Sequence, residues 1–167
     1  IKLGAIMLPL NWRLANPELL FILNDSEPKG IVYDSDFSER IPQLLNESPL
    51  KYALRLEFAP APEDGHPRYE EAITSTSAEV VMDPRTVHDT PLMIMYTSGT
   101  TGHPKGVIIT HGMYFYNMIN ITTPTGLGHD SVSYVVLPTF HIGGLNLYAN
   151  PIFHDGGMNI VAREYDP

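Results

Sequence analysis

The sequence YTSGTTGHPKGV, residues 96–107, places three glycines, four Ser or Thr hydroxyls and one lysine between two apolar runs of strand length. Glycines let a backbone approach a ligand closely, and they allow several N–H groups to converge on one point. Hydroxyls add hydrogen-bond donors, and a lysine ammonium supplies a compact positive charge. This composition favours a loop that holds the phosphates of a nucleotide. A Gly/Thr-rich hairpin turn without a ligand is the alternative interpretation, because isolated glycine motifs are weak evidence.

The loop differs from the common P-loop, which reads Gly, four residues, then Gly-Lys-Ser/Thr. Counted from Gly99, the second glycine is replaced by Pro104, and Lys105 is followed by Gly106 and not by a hydroxyl. The side chain that holds Mg²⁺ in a P-loop is therefore missing. This argues against an ordinary P-loop ATPase or phosphotransferase.

The twelve residues instead resemble the signature loop of the adenylate-forming (AMP-binding) superfamily. That superfamily includes acyl-CoA synthetases, luciferases and the adenylation domains of peptide synthetases. Its pattern is Tyr/Phe-Thr-Ser-Gly-Ser/Thr-Thr-Gly-x-Pro-Lys-Gly-Val, and every specified position is matched here, with His103 at the variable one. The resemblance implies that the loop wraps the β- and γ-phosphates of ATP while a carboxylate attacks.

Two further segments extend the resemblance over nearly the whole chain. Residues 4–11, followed by residues 17–29, are similar to the strand and helix that precede the loop in this family. Residues 137–145 (LPTFHIGGL) resemble the family's Pro-x-Phe-His-x-x-Gly segment, which forms part of the pocket for the carboxylate substrate. The resemblance therefore implies an ATP site and a neighbouring acid site.

Lys105 is the first candidate catalytic residue. An ammonium near the loop tip can offset the phosphate charge that builds up as pyrophosphate leaves. A solvated surface lysine is the alternative. The expected nucleotide-binding residues, which supply hydroxyl or backbone donors beside the lysine, are Thr97, Ser98, Gly99, Thr100, Thr101, Gly102, Lys105 and Gly106.

His141 is the second candidate catalytic residue and a candidate substrate-binding residue. It lies where a predicted strand gives way to a helix, the place at which open α/β sheets bind ligands. The resemblance puts its ring beside the substrate carboxylate, where it can donate a hydrogen bond. A core or capping histidine is the alternative. Gly143 and Gly144 either let the acyl group approach the backbone or permit tight packing of strand on helix. His111 is interpreted mainly as a helix-start residue.

Composition restricts the other classes of function. A net charge of −9 with ten scattered basic residues argues against a nucleic-acid groove. The absence of cysteine excludes disulfides and thiolate chemistry. The histidines lack the spacing of a zinc site, so no protein-ligated metal is expected, and Mg²⁺ would arrive with ATP. No apolar run approaches the length of a membrane span, and cytoplasmic is the default location.

Apolar runs of strand length alternate with helix-like segments, which predicts an α/β fold with a mostly parallel sheet flanked by helices. The predicted strands are residues 5–8, 30–33, 51–56, 92–97, 107–110, 133–137 and 159–162. One predicted helix starts at Pro17 behind an Asn16 cap, and another covers residues 111–121 behind a Thr110 cap. Further helices are predicted for residues 36–46, 69–73 and 142–153. Residues 57–91 are otherwise predicted to be a long loop, and residues 122–130 a shorter one.

The chain is expected to be the central part of the large N-terminal domain of a carboxylate-activating enzyme, with residues 1–167 a partial AMP-binding domain. The resemblance implies ATP, Mg²⁺ and coenzyme A as cofactors, with a carrier pantetheine as the alternative acyl acceptor, and a small carboxylate, fatty or aryl, as the substrate. It also implies further catalytic elements that this sequence lacks, so the chain alone is expected to be inactive. The alternative is a non-catalytic nucleotide-binding module that retains the phosphate loop.

Overall fold

The computed structural model describes residues 2–56, 65–97 and 102–162. The chain divides into two compact units. One unit is Trp12–Val80, and the other, called the hairpin unit below, combines Ile1–Asn11 with Val81–Pro167. Ser98, Gly99, Thr100 and Thr101 lie outside the described residues.

The Trp12–Val80 unit contains α1 (Asn16–Ser26), β1 (Gly30–Asp34), a 3₁₀ helix (Ser35–Arg40), α2 (Ile41–Glu47), β2 (Tyr52–Leu56) and α3 (Tyr69–Thr74). Strands β1 and β2 pair in parallel, with Gly30 opposite Tyr52. Helix α1 buries Leu19, Ile22 and Leu23, which share one face because they are three and four residues apart.

Two predictions fail in this unit. Asn16 is the first residue of α1 and does not cap it; the Glu18 carboxylate accepts the preceding Ala15 N–H at 2.8 Å. The Asn16 amide instead bonds Gln43 and Arg40, so a tertiary contact takes the group that a cap would use. The single helix predicted for residues 36–46 is split into a 3₁₀ and an α part, because Pro42 is suited to begin a helix and not to continue one.

The hairpin unit contains β3 (Pro91–Thr97), β4 (Lys105–Thr110), α4 (His111–Thr125), β5 (Val132–Val135), α5 (Ile142–Gly144), a π-helical turn (Leu145–Ala149), α6 (Asn150–His154) and β6 (Met158–Val161). Strands β3 and β4 are antiparallel, whereas β5 and β6 are parallel. With the β1–β2 pair, two of the three described ladders are parallel, and the predicted α/β class is confirmed. Leu92, Met93 and Met95 of β3 form the core, against which Ile109, Tyr114 and Leu145 pack.

Two larger differences from the predictions occur in the hairpin unit, where other element ends differ by one or two residues and the helix predicted for residues 142–153 is interrupted by the π-helical turn. The strand predicted for residues 5–8 is reduced to one bridge between Met7 and Met93, in which Met7 N–H donates to Leu92 and Met7 C=O accepts from Ile94. Helix α4 continues into the loop predicted for residues 122–130 and ends at Gly126, whose φ of 69° gives a left-handed cap. None of the described helices has the length and apolar character needed to cross a membrane.

Candidate functional site

The antiparallel pair β3–β4 holds both ends of the candidate phosphate loop. Thr97, the last residue of β3, is the register partner of Lys105, the first residue of β4. Both residues are exposed, so neither side chain is part of the core of the hairpin. The ladder and the buried residues of β3 give the loop a rigid base, which is a requirement for a preorganised site.

Lys105 presents its ammonium at the solvent side of this base. Within the described part of the chain it forms no ion pair, and the described salt bridges involve other residues. An exposed, uncompensated cation beside a glycine-rich loop suits the charge of a polyphosphate. The exposure and charge of Lys105 are thus compatible with the predicted phosphate site.

Two glycines of the loop, Gly102 and Gly106, are required by the backbone geometry for different reasons. Gly102 has a φ of 116°, a conformation that side chains disfavour, and nothing lies within 4 Å of the position of a Cβ. A Cβ on Gly106 would lie 2.9 Å from Ile94 Cγ2 and 3.1 Å from Tyr96 Cζ. Gly106 is thus needed for packing in the hairpin, a requirement that adds to its predicted role as a backbone donor.

His141 caps the helix that follows β5. Its Nδ1 accepts the Gly143 N–H at 3.1 Å, and its backbone N–H donates to Pro138 O at 3.1 Å. Because Nδ1 is an acceptor, the proton of the neutral ring is on Nε2. The side chain is exposed, so Nε2–H is available to a ligand. The structure therefore gives His141 both the capping role and the means to donate a hydrogen bond.

Gly143 and Gly144, adjacent in sequence, differ in their surroundings. A Cβ on Gly144 would lie 2.2 Å from Pro138 O and 2.6 Å from Leu137 O, and the residue is buried. Gly144 is therefore required for the close approach of the helix to the preceding backbone. Around Gly143 the nearest atom to a Cβ would be His141 Nδ1, at 3.4 Å. Gly143 is the less confined of the two candidate substrate contacts.

Helix α4 begins directly after β4. Thr110 caps it by accepting the Met113 N–H at 3.2 Å, as the sequence predicts. His111 is its first residue, in agreement with a helix-start role, and its Nε2 is buried without a partner among the described residues. Gly112 is explained by proximity to His88, whose carbonyl accepts the Gly112 N–H at 2.7 Å and would lie 3.2 Å from a Cβ.

The β3–β4 hairpin and the helical segment after His141 (residues 142–154) pack in one core. Leu145 packs on the cluster of Leu92, Met93 and Met95, and Asn146 Nδ2 lies 3.8 Å from Met93 Sδ. Sequence reasoning missed Asn146, which is 6% exposed. The available signal was an amide side chain in an otherwise apolar helical run.

The shifted pKa values lie away from these segments. Hydrogen bonds from Arg85 lower the pKa of Asp83 to about 2, and the same contact raises the pKa of Arg85. Burial raises the pKa of the Tyr114 phenol, which packs on the core. Among the described residues there is no group of three or more His, Asp or Glu side chains suited to a metal ion.

Comparison with known proteins identifies the family. The family model described as AMP-binding enzyme matches residues 1–167, so the chain belongs to the AMP-binding enzymes, as predicted. An indoleacetate–CoA ligase of Aromatoleum aromaticum is 37% identical over 87% of this chain and 28% of its own length. A 2-succinylbenzoate–CoA ligase of Bacillus cereus is 31% identical over 86% of this chain and 25% of its own length. The chain thus spans about a quarter of the curated relatives it matches.

Solved structures share the fold. ATP-bound MatB from Rhodopseudomonas palustris superposes with a TM-score of 0.80 at 27% identity, covering 96% of this chain and 31% of that one. A long-chain-fatty-acid–CoA ligase from Archaeoglobus fulgidus gives a TM-score of 0.81 at 26% identity, covering 95% of this chain and 30% of that one. The α/β arrangement described above is therefore that of acid–CoA ligases.

Proposed function

We propose that this chain is part of an enzyme that activates a carboxylic acid with ATP and transfers the acyl group to coenzyme A. The observation that carries the proposal is the exposed Lys105 at the base of a glycine-rich loop that matches the family's signature at every specified position. Membership of the AMP-binding family and the CoA ligases among its relatives support the same reaction.

In the first step, a carboxylate oxygen of the acid attacks the α-phosphorus of ATP. The bond from that phosphorus to the bridging oxygen breaks, pyrophosphate leaves, and an acyl-adenylate is formed. Lys105 and the loop donors would offset the charge that accumulates on the leaving phosphates. Thr97 is opposite Lys105 in the β3–β4 ladder and Gly106 follows Lys105 in the chain, and Ser98, Gly99, Thr100, Thr101 and Gly102 would complete the proposed loop. Mg²⁺ would be held mainly by the phosphates.

His141 would orient the acid. Its Nε2–H can donate to a carboxylate oxygen of the substrate, because its Nδ1 is occupied by the Gly143 N–H. Gly143 would allow the acyl group to pass near the backbone. In the second step the thiol of coenzyme A attacks the carbonyl carbon, the bond to AMP breaks, and the thiol proton is released to solvent.

The substrate class is proposed to be an aryl or fatty acid, with aryl acids tested first. The named relatives support this order, since they include ligases for indoleacetate and 2-succinylbenzoate and a feruloyl-CoA synthase.

We also propose that residues 1–167 are a partial AMP-binding domain and do not catalyse either step alone. Formation of acyl-CoA by the purified 167-residue chain from ATP, an acid and CoA would overturn this second proposal.

Carboxylate-dependent exchange between ATP and pyrophosphate tests the activity. The assay uses the longest reading frame that contains this chain, with arylacetic, cinnamic, benzoic and fatty acids of several lengths. Exchange that depends on one acid class, and that Lys105→Ala suppresses, is the expected result. ATP binding without exchange for any acid would contradict the proposal and favour a non-catalytic nucleotide-binding module.

A further inference from the structure

The helical segment after His141 contains a π-helical turn, and this turn leaves one carbonyl without a main-chain donor. The Asn150 N–H donates to Leu145 O, five residues earlier, and not to Asn146 O, four residues earlier. Pro151 follows, and proline has no N–H to donate. The Asn146 carbonyl therefore receives no main-chain hydrogen bond from residue 150 or 151, its donors in an α-helix and in a π-helix, respectively.

Asn117 of helix α4 supplies the missing donor. Its Nδ2 donates to Asn146 O at 3.0 Å. A buried carbonyl without a partner is costly, and Asn146 is 6% exposed. This side-chain amide thus replaces the main-chain N–H that Pro151 cannot provide.

The Asn146 side chain ties the same turn to a third element. Its Oδ1 accepts from Asn150 Nδ2 at 2.6 Å, and its Nδ2 lies 3.8 Å from Met93 Sδ in β3. Strand β3 ends at Thr97, opposite Lys105. The π turn is therefore fixed both to the strand that carries the phosphate loop and to α4.

His141 is coupled directly to this turn. Helix α5 has only three residues, and the Leu145 N–H, at the start of the π turn, donates to His141 O at 3.1 Å. We infer that Asn117 is a positioning residue: it holds the π turn in place and thereby fixes the His141 ring relative to β3. The inference rests on the proposed function for its catalytic consequence and on the hydrogen bonds alone for its structural part.

The kinetic test compares Asn117→Ala with Asn120→Ala in the longest reading frame that contains the chain. Asn120 is on the same helix but is exposed, so the control removes an identical group without touching the turn. We expect Asn117→Ala to lower kcat for acid-dependent exchange about 10-fold, a factor equivalent to one lost hydrogen bond of a buried group. The KM for ATP should stay unchanged, and Asn120→Ala should match the wild type.

A rescue variant separates positioning from general damage. Pro151→Ala introduces an N–H at the residue that faces the Asn146 carbonyl in a π turn. Asn117→Ala combined with Pro151→Ala should therefore recover most of the kcat lost in Asn117→Ala. A double variant no better than the single one would overturn the inference that a missing donor is the cause.

The effect of Asn117 on the His141 ring can also be measured without catalytic turnover, and therefore independently of the proposed function. In protein labelled with ¹³C at the histidine Cε1, the His141 resonance is assigned by its loss in His141→Ala. It should shift in Asn117→Ala and not in Asn120→Ala. If the wild type shows no exchange with any acid, the proposed function fails while this resonance still decides the inference. An unshifted resonance with a lowered Tm would show that Asn117 is structural only.

Discussion

The β3–β4 hairpin with its loop and the helical segment after His141 both contain glycines. Gly102 in the first and Gly144 in the second are required for opposite reasons. Gly102 has open space around it and needs glycine because its φ is 116°. Gly144 has an ordinary helical φ of −74° and needs glycine because a Cβ would meet Pro138 O at 2.2 Å. Gly102 has room in front of its backbone, and Gly144 has none. Removal of the exposed Lys105 charge should therefore affect activity, and a side chain at the packed Gly144 should affect stability.

The largest effect is expected from Gly144→Ala. The added methyl group collides with main-chain oxygens that cannot rotate away, so the loss should exceed about 3 kcal/mol, above the usual range for overpacking. Urea unfolding of the full-length protein measures it. Gly143→Ala is the matched control, because the nearest atom to its Cβ would be 3.4 Å away. Equal unfolding midpoints for the two variants would contradict the steric requirement for glycine at position 144.

Lys105→Ala should give the next largest effect, and on activity alone. Removing one charge that stabilises the leaving phosphates is expected to lower kcat for exchange by about 100-fold or more. Stability should change by less than about 0.5 kcal/mol, since the side chain is exposed. Lys51→Ala, an exposed lysine in the Trp12–Val80 unit, should retain full exchange. A Tm for Lys105→Ala far below that of Lys51→Ala would contradict the assignment.

Gly106→Ala tests a glycine that lies in the β3–β4 hairpin but is nevertheless packed against side chains. Its Cβ would lie 2.9 Å from Ile94 Cγ2, a side-chain atom that can move, so we expect a loss of about 1–2 kcal/mol. Denaturant unfolding checks the value. Gly128→Ala serves as the reference, because nothing lies within 4 Å of its Cβ position. If both variants unfold at the same denaturant concentration, the packing role of Gly106 is disproved.

The smallest effect concerns a contact outside both segments, between Asp83 and Arg85. The folded-state pKa of Asp83 is about 2, below its ordinary value of 3.8, so its contribution to stability is present above about pH 4. That contribution disappears as the pH falls from about 4 towards 2. Asp83→Asn should therefore flatten the fall of unfolding free energy over this range. Asp89→Asn, at an exposed position, should leave the free energy of unfolding over the same pH range like that of the wild type.

The sequence predicted the hairpin well because its signals are local. Glycines and hydroxyls between two apolar runs define a strand, a loop and a strand, and Thr110 followed by a helical run defines a cap. The same local reasoning failed at Asn16, which is well suited to capping. The failure arose because the Asn16 amide bonds Gln43, a residue 27 positions away that no local pattern indicates.

The candidate site divides in the same way. Lys105 and His141 were both identified from their motifs, and both are exposed on ordered elements, although their roles stay predictions. Asn117 was not identified, because nothing near it in sequence shows that a carbonyl 29 residues later will lack a donor. Pro151, which cannot supply that donor, is apparent in the sequence, but the Asn117 amide that replaces the donor is not.

The amino-acid sequence alone was sufficient to identify the family and the α/β class and to predict the chemistry of the phosphate loop, since each depends on residue types at fixed local spacing. Tertiary structure alone decided why Gly106 and Gly144 must be glycine and which amide completes the π turn. Those requirements come from atoms brought together across the fold at distances of about 2 to 3 Å. Contacts of that kind depend on how separate elements pack, and the local spacing of residue types does not predict them.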